Sequence, residues 1–219
     1  MLKIWIHFFN IMNRDSAYGK TSDSVLRRVK MAKRRWGGAF TPSDFADIGD
    51  LRSVGMVLSR LVKAGTIRRV RRGVYETPRP HPILGTIGAG PDAVLAAIAR
   101  RDGLTLLPSG AESANSLGLS TQVPARSSYG VSGRSRVVSL GGSGSARLQR
   151  RSSKMVALAR RASGRVAEAL RSLGKKQINP DKIRQLQHAL SAEAKRELLE
   201  DLRYVPAWMR PVFLEVAKK

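Results

Sequence analysis

The chain has 219 residues, 42% of them hydrophobic, and a formal net charge of +24 from 40 Lys/Arg against 16 Asp/Glu. Length and apolar content exclude wholesale disorder, and the absence of cysteine excludes a disulfide framework and a thiolate metal site in one or two domains suited to the cytoplasm. So large a positive balance is silent on fold but selects polyanionic partners, nucleic acid first, with binding that weakens as salt rises.

The chain opens on "MLKIWIHFFNIM", apolar and aromatic. This is too short to span a bilayer, which takes about 20 residues. "NRDSAYGK" after it offers no small-residue cleavage site of a signal peptide. Residues 1–21 are therefore set apart as an N-terminal extension. An ordered arm, an upstream translation start and a membrane anchor are its three readings, and the rest of the chain predicts no membrane contact.

Thr21 or Ser22 can cap a helix over "DSVLRRVKMAKRR", with Val25, Val29 and Ala32 on one face and Gly37–Gly38 as its stop. Thr41, Pro42 and Asp44 then spell the start of a short second helix that turns Phe45 and Ile48 inward. A third helix follows over "LRSVGMVLSRLVKAG". Leu51, Val54, Leu58 and Leu61 form its predicted buried stripe, and Gly65 its C-terminal cap. Arg52, Ser53, Met56, Ser59, Arg60 and Lys63 occupy the other face. "TIRRVRRGVYE" reads as a strand, a tight turn at Arg72–Gly73 and a returning strand, with Ile67, Val70, Val74 and Tyr75 apolar.

Three helices and a basic ribbon over residues 22–77 predict a winged helix-turn-helix, a shape that lays one helix in the DNA major groove. Residues 20–75 carry 14 Lys/Arg against 4 Asp/Glu, the densest excess in the chain. The predicted DNA-binding residues are Arg52, Ser53, Met56, Arg60 and Lys63 on the third helix and Arg68, Arg69, Arg71 and Arg72 on the wing. An arginine there can pair with guanine O6 and N7, and Met56 can touch a thymine methyl. The wing arginines would hold phosphates or enter the minor groove. Arg27, Lys30, Lys33, Arg34 and Arg35 on the first helix read as backbone contacts or as solubility charges.

"TPRPHPILG" reads as a linker. Beyond it, residues 83–219 form a second region. Its 83–150 part is α/β, with helices over "PDAVLAAIARRDG" and "SGAESANSLGL" and three strands separated by Gly/Ser turns. Its 151–219 part is helical. Gly164 is the expected weak point in "SKMVALARRASGRVAEALRSLG", while Asn179–Pro180 and Ser191 start further helices, and Trp208 belongs in the core. The fold class is thus α+β.

Catalysis finds little support. "YGKTS" at 18–22 lacks the earlier P-loop glycine, that position being Arg14, and "GTIGAG" at 85–90 has the wrong spacing for a dinucleotide turn. "GGSGS" at 141–145 is a hairpin turn. There is no GxSxG serine, His7, His81 and His188 are far apart, and the acids read as helix-surface residues. The expectation is a non-enzyme without metal or cofactor.

Four segments carry a family resemblance: the winged helix, "SGAESANSLGLSTQVPAR" at 109–126, "SSKMVALARRASGRVAEALRSLGKK" from Ser152, and "LLEDLRYVPAWMRPVF" at 198–213. Together they make residues 22–217 resemble the AbiEi-type antitoxins of abortive-infection, type IV toxin–antitoxin systems. The resemblance implies a phage-defence antitoxin that binds inverted repeats in double-stranded DNA of its own promoter as an autorepressor. It also implies that residues 83–219 counteract a nucleotidyltransferase-like toxin, without a lasting complex with it. A monomer or weak dimer in solution fits that role. The alternatives are a winged-helix transcription factor with an unrelated effector domain and an RNA-binding protein. Aromatics at only 5% weaken the last, which calls for exposed stacking rings.

Overall fold

The structure, a computed structural model, describes residues 16–83, 85–122 and 127–218. The N-terminal stretch before Ser16 and the "VPAR" end of the 109–126 segment lie outside the described residues. The fold is mixed α+β, in two compact units.

The first unit runs to Gly103 and includes Leu140–Ser143. Helix α1 spans Ser16–Trp36, a 310 turn Pro42–Phe45, and helix α2 Leu51–Lys63. Strands β1 (Ala39–Phe40), β2 (Arg68–Arg71) and β3 (Val74–Glu76) form an antiparallel sheet in the order β1-β3-β2. The basic antiparallel ribbon is present as the sequence predicts, but the expected short second helix is only the four-residue 310 turn Pro42–Phe45. Its core joins Val25 and Val29 of α1 to Val54, Val57, Leu58 and Leu61 of α2 over Phe40, Phe45, Ile67 and Tyr75. Phe40 meets Phe45 edge-on at 5.6 Å, and Trp36 meets Phe45 at 5.7 Å. Aromatic pairs of this kind contribute about 0.5–1.5 kcal/mol each beyond area burial.

Two details of the helices differ from expectation. Thr21 and Ser22 do not cap α1 but lie inside it, because the helix already starts at Ser16. Leu51 is 57% exposed, and Val57 takes its place in the buried stripe. Helical side chains tilt toward the N-terminus, so a first-turn leucine reaches past the end of the core.

The expected linker is a hairpin: β4 (Arg79–His81) pairs antiparallel with β5 (Gly85–Ile87). The unit boundary consequently falls at Gly103, not at 77–83, and helix α3 (Pro91–Arg101) belongs with the winged helix. Val94, Ala97 and Ile98 of α3 are buried. Arg100 fastens it: its Nε donates to Asp44 Oδ1 at 2.8 Å, its Nη2 to the Ala39 carbonyl at 3.1 Å, and its guanidinium lies 5.5 Å from the Trp36 ring centre.

The second unit holds Leu104–Ser139 and Gly144–Lys219. Strands β6 (Leu106–Ser109), β7 (Ser128–Val131), β8 (Arg136–Ser139) and β9 (Ser145–Arg150) form a sheet in the order β6-β7-β9-β8, with β7 and β9 parallel. Helices α4 (Gly110–Ser116), α5 (Ser153–Val156), α6 (Ala162–Leu173), α7 (Pro180–Ala189), α8 (Ala192–Glu200) and α9 (Arg210–Ala217) complete it. One core runs from Leu107 through Leu170 and Leu198 to Phe213, with Trp208 packed against it. The 83–150 and 151–219 parts therefore do not separate at residue 150. The break in the long helix falls at 157–161, and Gly164 lies inside α6. A Cβ on Gly164 would sit 2.0 Å from the Leu158 carbonyl oxygen, so this glycine permits a close approach rather than a break.

Not all acids are on helix surfaces. Glu76, Glu168 and Asp201 are buried. Asp201 accepts hydrogen bonds from Ser163 and, at 2.6 Å, from Arg161, whose Nη2 also reaches Glu200.

Candidate nucleic-acid interface

Helix α2 is locked at both ends. Asp50 caps it, accepting from the Arg52 and Ser53 amides at 2.9 Å each and from the Ser53 hydroxyl at 2.6 Å. The Ser53 hydroxyl, and then these amides, hold the Asp50 carboxyl below the usual carboxylate range. At the other end the Gly65 amide bonds to the Val62 carbonyl and the Thr66 amide to the Leu61 carbonyl, with Gly65 at φ +70. That is a Schellman closure, and the left-handed φ is why glycine stands there.

Between these ends Arg52, Met56, Ser59, Arg60 and Lys63 are exposed on one side. At 3.6 residues per turn they span an arc of about 100°, a single face that a groove can receive. Met56, 43% exposed in the middle of the cations, is an apolar contact on that face. Ser53 is half-buried, and its proton is committed to Asp50, so only its lone pairs face outward.

The wing divides the four predicted arginines. Strand β2 pairs Arg69 with Tyr75 and Arg71 with Val74, so Val70 is an extra residue and the strand bulges. Gly73 at φ +72 closes the turn. Arg69 and Arg72 are exposed and Arg71 is half-buried. Arg68 lies against the buried Glu76, its Nη2 2.8 Å and its Nε 3.0 Å from Oε1. Glu76 also accepts the Ala89 amide at 2.8 Å. Arg68 therefore braces the base of the wing.

Four acids of this unit are committed to partners the structure shows. Asp44 is held by Arg100 and by the Thr41 amide, Asp47 by Arg28, Asp50 by the helix end, and Glu76 by Arg68. Asp47 is correspondingly held low, first by the Arg28 hydrogen bond. On α1, Arg27, Lys30, Lys33, Arg34 and Arg35 are exposed, and Arg27, Arg34 and Arg35 line an open concavity with Met31. Arg28, to which the sequence assigns no role, is instead tied to Asp47. Its partner lies 19 residues away, and no local pattern links the two.

Among the described residues, no group of three or more His, Cys, Asp or Glu could hold a metal ion. None of their helices is long and apolar enough to cross a membrane.

The profile of a family described as "Family of unknown function (DUF6088)" matches residues 24–198, and the chain belongs to that family. No curated protein matches the chain. A solved structure, the RV2827C protein from Mycobacterium tuberculosis, is similar at 15% identity with a TM-score of 0.41, over 92% of this chain and 82% of that one.

Proposed function

We propose that this protein, a member of a family of unknown function, is a double-stranded-DNA-binding regulator that reads its site through α2 and grips the backbone through the wing. The observation that carries the reading is the exposed Arg52–Met56–Arg60–Lys63 face, with no acid among its residues, on a helix capped at both ends. Arg52 and Arg60 supply planar donors for guanine edges, and Lys63, Arg69, Arg71 and Arg72 supply phosphate contacts. The activity is binding, not catalysis.

The finer reading is an antitoxin of the type IV, abortive-infection kind. It autorepresses through inverted repeats in its promoter and counteracts a nucleotidyltransferase-like toxin through residues 104–219. Its support is the resemblance of the segments at 109–126, 152–176 and 198–213. Coexpression tests it. A toxin encoded beside this gene should arrest growth alone and not with this chain, while a reporter on the upstream DNA is silenced. Growth arrest that the chain does not relieve, alongside a silenced reporter, would leave a repressor and remove the antitoxin.

A further inference from the structure

An open concavity in the second unit forms where the end of β9, α5, α6 and the start of α9 meet. Its cations are Arg150, Arg151, Lys154, Arg171, Arg203 and Arg210, and no carboxylate lines it. Glu168, the acid nearest these groups, lines an adjoining hollow and is already committed. Its carboxylate is buried and takes Arg151 in a two-pronged bond, Nε to Oε1 and Nη2 to Oε2 at 2.8 Å each.

Arg171 shares that acid only at a distance, with Nε 3.6 Å from Oε1. The Arg171 Nε is buried and has no hydrogen-bond partner. A buried N–H donor without an acceptor destabilises the fold until something accepts from it. Arg203 is held in place without being neutralised. It donates to the Tyr204 hydroxyl at 2.8 Å and lies 4.8 Å from that ring's centre. The concavity thus gathers six cations without a carboxylate of its own, with Arg151 and Arg203 held in place and Arg171 only weakly compensated.

We infer that this concavity binds a phosphoryl group, carried by a nucleotide or by a nucleic-acid backbone, through Arg171, Arg203, Arg210 and Lys154. Guanidinium forks fit phosphate oxygens two at a time, and several uncompensated cations suit a multiply charged anion better than a single carboxylate. The site lies in the second unit, and α2 belongs to the first.

Calorimetric titration of the full chain in the Arg52→Ala/Arg60→Ala background tests it, at about 150 mM salt so that diffuse attraction is screened. The titrants are pyrophosphate, ATP and a hexathymidylate without terminal phosphates. Saturable one-site binding of at least one is expected. Arg171→Gln and Arg203→Ser should each weaken it about tenfold or more, the scale of a lost charge-assisted bond. Binding of pyrophosphate and ATP alone assigns the site to terminal phosphates, and binding of hexathymidylate alone to a phosphodiester backbone. Arg203 and Arg210 are exposed, so Arg203→Ser and Arg210→Ser decide the matter should Arg171→Gln fail to fold. No saturable heat with any titrant, or binding indifferent to the rim variants, overturns the inference.

Discussion

Arg68 and Glu76 face each other across the wing, guanidinium to carboxylate at 2.8 Å, and this pair separates the arginine that braces the wing from those that face outward. Arg68→Ala leaves Glu76 buried without its cation and should cost about 1–3 kcal/mol of stability. It should leave the salt dependence of DNA binding unchanged. Arg69→Ala and Arg72→Ala should do the reverse: stability within about 0.5 kcal/mol of the parent, and a log–log salt slope smaller by about one each. Thermal melts and binding at several salt concentrations measure both. A flattened slope in Arg68→Ala would place that residue on the phosphates after all.

Gly88 makes room for the same carboxylate. A Cβ there would stand 2.3 Å from Glu76 Oε2. Gly88→Ala should therefore destabilise by about 1–3 kcal/mol, the usual cost of overpacking. Adding Glu76→Ala removes the clashing group, so the double variant should be more stable than the sum of the two single losses. Simple additivity in denaturant titrations would show that the two residues do not meet.

Asp50 gives α2 an acid-sensitive start. Its carboxyl is depressed on folding, from an ordinary value of 3.8, by the Ser53 hydroxyl first and then by helix amides. A group so depressed contributes stability that is present above its unfolded value and is lost as pH falls through its folded value. Hydrogen exchange at the first turn of α2 should thus accelerate as pH drops below the ordinary value, relative to Asp50→Asn, whose amide oxygen caps without titrating. Identical pH profiles for the two proteins would remove Asp50 as the cap.

In the second unit, Gly164→Ala would place a methyl 2.0 Å from the Leu158 carbonyl, backbone that is not the far end of a flexible side chain. The expected loss is about 1–3 kcal/mol or more. An unchanged melting temperature would mean that the 157–161 break can shift to admit it.

The winged helix was legible because its signals are local. Apolar spacing gives α1 and α2, Thr41-Pro42 and Asp44 mark a helical start that closes after one 310 turn, and Gly65 and Gly73 stand where left-handed backbone is required. What stayed hidden depends on contacts between distant residues. A proline-rich stretch reads as linker, yet β4 and β5 pair there. Nothing near Arg100 in the sequence announces Asp44, 56 residues earlier, so α3 was assigned to the wrong side of the boundary. The face of α2 was readable from helical periodicity. The commitment of Arg68 to Glu76 was not, since cross-strand register depends on the Val70 bulge.

Fluorescence anisotropy on the protein's own upstream DNA tests the central claim most directly, set against scrambled DNA at about 150 mM salt. Selective binding is predicted. The Arg52→Ala/Arg60→Ala variant should lose about 1–3 kcal/mol for each broken guanine contact while melting as the parent does. Equal affinity for both DNAs, unchanged in the variant, would contradict readout through α2 and leave only charge acting on phosphates.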